Sequence, residues 1–454
     1  MMSSIGRAGN ETFPGSGDDS GTGRTRREHP SKPTALQRRV LVGGSVGHFV
    51  DFYDFTLYGL TAVIISQRFF PSESAALSLL STFAAFGVAF VIRPLGGLYF
   101  GALGDRVGRR RVLFITLTAM GGATAVMGLL PGYEEIGPLA PVLLILCRLV
   151  QGFSTGGESV GAPSFVFEHA PIDKRGYWIN VTIAATALPS VAAGTLILLL
   201  SRSMSDQSFT SWGWRIPFLL ALPLALVGLF IRSKTEESDV FRVAEAERPK
   251  EFHPIREAFY ENKLRMVQVV FVVGLSAMGF SFLAGYFVSY LQTSGNLSRE
   301  MSLEVSIGAL ALYAVLIPLS GRVADRLGRK PMLIAGSAML AAISIPAFVL
   351  VTSGNVLLAL SGQFLFVVAL CVYGGGCYTF FVEIFATRTR FTSAAIGYNV
   401  AYAVFAGTAP FIATALIGIT NVPAAPGFYM AAAAAIVLLL VISTNIPETR
   451  GRVG

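Results

Sequence analysis

The sequence predicts an all-α membrane protein of twelve transmembrane helices, arranged as two pseudo-symmetric six-helix bundles. Three observations predict it. The first is composition: 53% of the 454 residues are hydrophobic and 14% are charged, against about 25% charged in a soluble domain. The mean hydropathy is +0.61, and a water-soluble core of this size has no room for that much apolar surface. The 48 glycines agree, because small residues let helices approach closely in lipid. The second is the recurrence of apolar runs about 20 residues long, the length that crosses the hydrocarbon core. The third is a charged loop element that occurs twice, once in each half of the chain.

Residues 1–39 come first. They are rich in Gly, Ser, Thr and Arg, have no apolar period, and are read as a disordered cytoplasmic tail. They are not a cleavable signal, because the apolar run from Val40 is too long for a signal core and no small-residue cleavage site accompanies it. A six-helix bundle is expected over 40–232, with spans at 41–66, 77–103, 112–131, 140–168, 176–200 and 214–232. Span 1 carries His48, Asp51, Asp54 and Tyr58 at spacings of 3, 3 and 4, which puts them on one helix face. At 1.5 Å per residue, Asp51 lies roughly 15 Å from the inner end, close to the bilayer middle. Span 2 holds Arg93, followed by Pro94 and Gly96-Gly97, a packing corner as well as a charge. Span 4 holds Arg148 near mid-depth, and then Glu158 after Gly156-Gly157, roughly 27 Å from the outer start of the helix. Span 5 contains Pro189.

The polar stretch 233–265 is read as a cytoplasmic linker. A second bundle is expected over 266–446, with spans at 266–292, 303–321, 332–352, 355–386, 391–419 and 426–446. The run 355–386 is long enough for two segments or one tilted helix. Its Gly374-Gly375-Gly376 is read as a close crossing or hinge, not a phosphate loop. Residues 447–454 form a short cytoplasmic tail.

A net charge of +8 and a pI near 9.5 invite a nucleic-acid reading, but the basic residues are parcelled into short segments between apolar runs. Of 35 Lys and Arg, those on the outer side are Arg68, Arg202, Arg215 and Arg299, while Arg93 and Arg148 lie within spans. That bias places both termini in the cytoplasm of a multi-pass protein of the cell (inner) membrane. The expected surroundings are a lipid bilayer and no nucleic acid. Cys147, Cys371 and Cys377 all lie inside apolar runs and read as small buried hydrophobes.

The duplicated loop comprises Gly101, Asp105, Arg106, Gly108, Arg109, Arg110 and Arg111 between spans 2 and 3. It recurs as Gly321, Asp325, Arg326, Gly328, Arg329 and Lys330 between spans 8 and 9. A second echo pairs Glu168, Lys174 and Arg175 with Glu383, Arg388 and Arg390 at nearly the same offset. Two such echoes argue for duplicated halves.

On these residues the chain resembles the major facilitator superfamily, whose loop signature this is. Within it, the chain resembles the metabolite:proton symporter family over residues 40–450. The closer resemblance rests on Gly47, Asp51, Tyr53, Asp54, Tyr58 and Gly59; on Arg93, Pro94, Gly96 and Gly97; and on Gln151, Gly152, Gly156, Gly157 and Glu158. It rests also on Trp212, Trp214, Arg215, Pro217 and Phe218, and on the closing Pro447-Glu448-Thr449-Arg450. That family includes permeases for 2-oxoglutarate, citrate and shikimate, and importers of proline and betaine, which the stretch 141–175 resembles most. His48, Asp51 and Phe52 stand where Asn, Glu and Trp are usual, so the departures fall on span 1 and bear on the substrate. The resemblance implies proton-coupled import of a small carboxylate-bearing metabolite, an organic acid or a zwitterion, by alternating access. It also implies a coupling role for Arg148, and a cytoplasmic latch made by Asp105, Arg109, Glu168, Asp325, Arg329 and Glu383.

The residues carry their own argument. A charge at membrane depth costs several kcal/mol, so those that remain need partners or a water-filled cavity. Asp51, Asp54 or His48 is the expected proton carrier, since burial and a nearby cation pull a carboxyl group's affinity for protons in opposite directions. Arg93 and Arg148 either neutralise these carboxylates or grip a substrate carboxylate through a forked pair. Glu158 is read as a proton exit or gate residue. Tyr53, Tyr58, Trp178, Tyr286, Tyr290, Tyr373, Tyr378 and Tyr402 are candidate cavity aromatics. A cage of them suits a quaternary ammonium, and ordinary helix packing is the alternative. No Walker element, zinc-ligand spacing or nucleophile elbow occurs, so no ATP drive, cofactor, metal site, catalytic residue or enzyme activity is expected. The expected partners are a small-molecule substrate and protons, handled by a functional monomer. Two other readings stay open. One is a proton-driven efflux antiporter of the same fold, whose Gly-Pro element Ala187–Gly194 matches loosely. The other is a transporter-like membrane sensor, for which neither terminus is long enough to fold as a signalling domain.

Overall fold

The computed structural model describes residues 49, 52–107, 109–156, 166–167, 170–233, 254–385, 390–444 and 446–451. Every regular element among them is helical. Eight helices are long and apolar enough to cross a membrane, from Ala75–Phe100 to Ala425–Ser443, and three shorter apolar helices are Phe114–Leu129, Leu139–Thr155 and Gly213–Leu229. The helix through residues 52–60 and Ala62–Phe69 takes the place of span 1. The twelve spans thus follow the order of the apolar runs. The run at 355–386 forms one 28-residue helix, Val356–Glu383.

Local chemistry sets the ends and breaks. Ser74, Ser298 and Asn355 cap spans 2, 8 and 10 by accepting hydrogen bonds from first-turn N–H groups. Gly328, between Arg299–Leu327 and Arg329–Val351, has φ +104° and lies against the Glu448 carboxylate, where a Cβ has no space. Span 5 divides into Arg175–Ala184 and Leu188–Ser203, just ahead of Pro189, which has no N–H to give. Spans 7 and 11 each contain a π-helical turn, Phe282–Tyr286 and Tyr402–Ala406, a feature that often marks functional sites. The helix leading into span 7 starts at Pro254 and is interrupted by the non-helical Asn262, so the last part of the expected linker is already helical.

In the first half span 4 packs on spans 2 and 3, and span 3 on span 6. In the second, span 10 packs on spans 8 and 9, and span 9 on span 12. The halves meet where span 5 lies along span 8 and span 2 along span 11. Span 7 is the innermost: 83% of its apolar window is buried, against 50% or less for the other long spans. Leu95, Leu98, Val315, Leu319, Val323, Leu439 and Ile442 point outward, an apolar surface suited to lipid.

Candidate substrate and gating site

The centre of the first half is a buried polar chain. Arg148 on span 4 is 1% exposed. Its Nη1 donates to Gln151 Oε1 at 2.9 Å and its Nη2 to the Phe86 carbonyl at 3.4 Å. Gln151 Nε2 donates onward to Thr124 Oγ1 at 2.8 Å, and Thr124 Oγ1 donates to the Met120 carbonyl at 2.9 Å. The guanidinium lies 4.5 Å over the Tyr58 ring, and the Tyr58 hydroxyl is tied to the Thr82 carbonyl at 3.0 Å. Asp54, also buried, lines a narrow crevice with Phe49, Tyr53, Met120 and Thr124. Its carboxylate feels the charge of Arg148 first and of Arg93 second, although the hydrogen bonds of Arg148 go to span 4 and span 2 instead. Of the predicted stripe on span 1, Asp54 and Tyr58 therefore share one enclosure with Arg148, while His48 and Asp51 lie outside the described residues.

Arg93 stands at the seam between the halves. Its guanidinium carbon is 4.3 Å from the Phe90 ring centroid, 5.8 Å from that of Tyr402 and 6.0 Å from that of Phe55. Tyr402 belongs to span 11 and stacks on Tyr398 at 4.3 Å. Nearby, the Tyr378 hydroxyl accepts from Ser276 Oγ at 3.0 Å and lies 3.5 Å from that of Tyr313. The other candidate aromatics make packing or tethering contacts. Tyr53 donates to the Pro217 carbonyl at 3.1 Å, tying span 1 to span 6. Tyr373 donates to the Val272 carbonyl at 2.7 Å within the second half, and Tyr290 to the Pro423 carbonyl at 2.7 Å. Tyr286 stacks on Tyr290 at 5.3 Å, and Trp178 packs with Val166 and Ala170.

At the end of the molecule that carries the basic loops, Arg329 is the hub. Its Nε and Nη2 fork onto the Glu383 carboxylate, both at 3.0 Å, and its Nη1 reaches Asp325 Oδ1 at 3.0 Å. Asp325 crosses to the other half, where its two oxygens accept from the N–H groups of Gly176 and Tyr177 at 2.8 and 2.9 Å. These N–H groups open span 5 and would otherwise have no intrahelical acceptor, and a carboxylate is well placed against the positive end of the helix dipole. Gly176 and Gly321 cross so closely that a Cβ on either would run into the other's backbone.

Three participants have roles that only the tertiary structure assigns. Glu448 accepts from the N–H groups of Arg329 and Lys330 at 2.9 and 3.0 Å, and Thr449 Oγ1 donates to Glu383 at 2.7 Å. The closing Pro447-Glu448-Thr449 run thus supports the hub. Likewise Gln151, one residue of a sequence motif, links Arg148 to Thr124. Asp105 and Arg109 lie in helices Arg93–Val107 and Arg109–Leu129, but their side chains, with all of Glu158 and Glu168, lie outside the described residues.

At the opposite end two further ion pairs join the halves, Arg202 with Glu304, and Arg299 with Asp206 at 2.7 Å. Both pairs are at least partly exposed. Contacts between the halves therefore bridge both ends of the seam.

Comparisons with known proteins agree with the fold. Residues 40–453 match the family model for sugar (and other) transporters. The proline/betaine transporter of Salmonella typhimurium is 33% identical over 427 residues, covering 91% of this chain and 84% of that protein. The proline/betaine transporter of Escherichia coli K12 is 32% identical with the same coverage. The glycine betaine/proline/ectoine/pipecolic acid transporter of Dickeya dadantii is 33% identical, covering 88% and 82% of the two chains. Among solved structures, a crystal structure of the D-xylose–proton symporter superposes with a TM-score of 0.70, 18% identity and coverage of 91% and 99%. A partially occluded inward-open xylose transporter from Escherichia coli gives 0.71 at 18% identity, with coverage of 93% and 100%. At that identity the likeness establishes the fold.

Proposed function

The chain belongs to the sugar (and other) transporter family of the major facilitator superfamily, a family of transporters and not of enzymes, and we propose that it imports a small zwitterion of the proline or betaine kind together with protons. The observation that carries this reading is Arg148. A permanent cation held almost fully buried at mid-span, beside a buried carboxylate, suits a carboxylate-bearing substrate that is taken up along with a proton. The names of relatives that are about one-third identical along nearly the whole chain favour the zwitterion over an organic acid.

In this reading Asp54 carries the coupling proton, with Asp51 and His48 on the same stripe. A charged Asp54 balances Arg148; once protonated, it leaves Arg148 to fork onto the substrate carboxylate. Tyr58 and Gln151 hold the guanidinium in place. The basic-loop end faces the cytoplasm, and Glu158 passes the proton toward it. Asp325, Arg329 and Glu383 form the cytoplasmic latch, with Asp105, Arg109 and Glu168 as their duplicated counterpart. The two halves rock about the seam, with the ion pairs Arg202–Glu304 and Arg299–Asp206 closing the outer end. The transporter works as a monomer in the inner membrane. One proton moving through 100 mV releases about 2.3 kcal/mol, enough for roughly 50-fold accumulation of a neutral solute.

The test is uptake by purified protein in liposomes, offered labelled proline, betaine, 2-oxoglutarate, citrate or shikimate with and without an inward proton gradient. Accumulation of proline or betaine that a protonophore abolishes is expected. Accumulation of a dicarboxylate alone would move the substrate to organic acids, and solute loss driven by the same gradient would make the protein an exporter.

A further inference from the structure

The aromatic faces at the seam are already occupied by a cation. Arg93 places its guanidinium among Phe90 of its own span, Phe55 of span 1 and Tyr402 of span 11, so the box is completed only when the two halves meet. Arg93 is 5% exposed, in surroundings where aromatic faces interact most strongly with a cation. Pro94 follows it and has no N–H for the Phe90 carbonyl, which loosens the helix at that point. On the other wall, Tyr402 opens a π-helical turn. Both sides of the box are therefore built on locally adjustable backbone.

We propose that Arg93 is a built-in plug that stands in for the cationic head of the substrate in the empty carrier, and that the substrate displaces it. The proposal rests on the zwitterion reading above and deepens it. A trimethylammonium group cannot hydrogen-bond, so aromatic faces are the chief attraction a protein can offer it. Two cations cannot share one small box. When the substrate's ammonium enters, Arg93 must leave, and its guanidinium then joins that of Arg148 on the substrate carboxylate. A zwitterion thus gives Arg93 a charged contact in return for the aromatic contacts it leaves. A quaternary ammonium without a carboxylate would displace Arg93 and offer it nothing. The device selects zwitterions over plain cations and lets the unloaded halves close without leaving the aromatic faces bare.

The test is equilibrium binding of labelled glycine betaine and labelled choline to the purified full-length protein. In Arg93→Gln, betaine affinity should fall at least tenfold while choline affinity rises at least tenfold, opposite signs that mere damage to the fold does not produce. Adding Tyr402→Leu should remove the choline gain, and Arg93→Lys should still exclude choline. Unchanged choline affinity in Arg93→Gln, or a gain that survives Tyr402→Leu, overturns the plug. Should Arg93→Gln not survive purification, Tyr402→Leu alone decides: betaine affinity at least tenfold weaker supports the box, and unchanged affinity overturns it. If the unaltered protein binds neither betaine nor proline, the substrate assignment fails, and the choline response of Arg93→Gln still decides the plug.

Discussion

Replacing Asp325 by Asn probes the proposed latch with almost no change in size. The Asp325 carboxylate accepts from the Gly176 and Tyr177 N–H groups at 2.8 and 2.9 Å across the seam, and from Arg329 at 3.0 Å within its own half. Rocking of rigid halves breaks the first two bonds. It leaves the third intact, along with the fork between Arg329 and Glu383, so only the bonds across the seam bias the opening equilibrium. A hydrogen bond to a charged group contributes about 1.5–3 kcal/mol. Asn offers a single acceptor and turns its amide donor toward the second N–H, so one bond is lost and the other loses its charge. The closed state should then lose about 2–4 kcal/mol, roughly a 30- to 700-fold change in the closed-to-open ratio. Spin labels at Ile172 and Leu327, both exposed and on opposite sides of the latch, report that ratio as a distance distribution, in a chain whose three cysteines are replaced. The short distance should dominate in the parent and the long one should grow strongly in Asp325→Asn. Arg329→Lys, which weakens a fork inside one half, should move the distribution much less. Identical distributions for parent and Asp325→Asn, or a larger shift in Arg329→Lys, would refute the reasoning.

Asp54→Asn should abolish gradient-driven accumulation in liposomes while substrate exchange at equal concentrations persists; accumulation at the parent level would take Asp54 out of the coupling step. Gln151→Leu removes the 2.9 Å acceptor of Arg148, a charged hydrogen bond worth about 1.5–3 kcal/mol, so uptake kcat/KM should drop roughly 10- to 150-fold, and an unchanged value would show that Arg148 needs no such support. Reversing Arg299 to Asp should open the outer end by less than about 30-fold, since an exposed pair contributes about 0.2–1 kcal/mol and the like-charged pair left with Asp206 costs a similar amount, and pairing it with Asp206→Arg should restore closure. Accessibility of an outer-end cysteine measures this, and the effect should fade in high salt, whereas that of Asp325→Asn should not. Gly328→Ala forces a side chain into φ +104° beside Glu448, at about 1–3 kcal/mol, read as a lower melting temperature in detergent.

Much of the site's inventory was legible in the chain, but less of its wiring. Asp54, Arg93 and Arg148 stood out because a charge in an apolar run is costly and needs a reason. The duplicated loop marked Asp325 and Arg329, and its second echo marked Glu383. Gln151, Thr449 and Glu448 belong to motifs, but nothing in the chain names their partners, because a polar residue within or at the end of a span is ordinary on composition alone. Residue type alone left Trp178 and Tyr373 open between cavity and packing, and only the structure supplies their neighbours, Val166 and Ala170 for Trp178 and the Val272 carbonyl for Tyr373.

By itself the sequence determined the class, the twelve spans and the two halves. Each of these is a property of one continuous segment: lipid obliges a crossing chain to satisfy its own backbone groups, so length and hydropathy suffice to specify a helix. Only the tertiary structure decided that Asp325 caps the start of span 5, that Arg148 leans on Gln151 and not on Asp54, and that Arg93 is boxed by a tyrosine from the other half. Two of those pairings join residues over a hundred positions apart. The third turns on which way one guanidinium points once its neighbours are packed, and no local period records that direction.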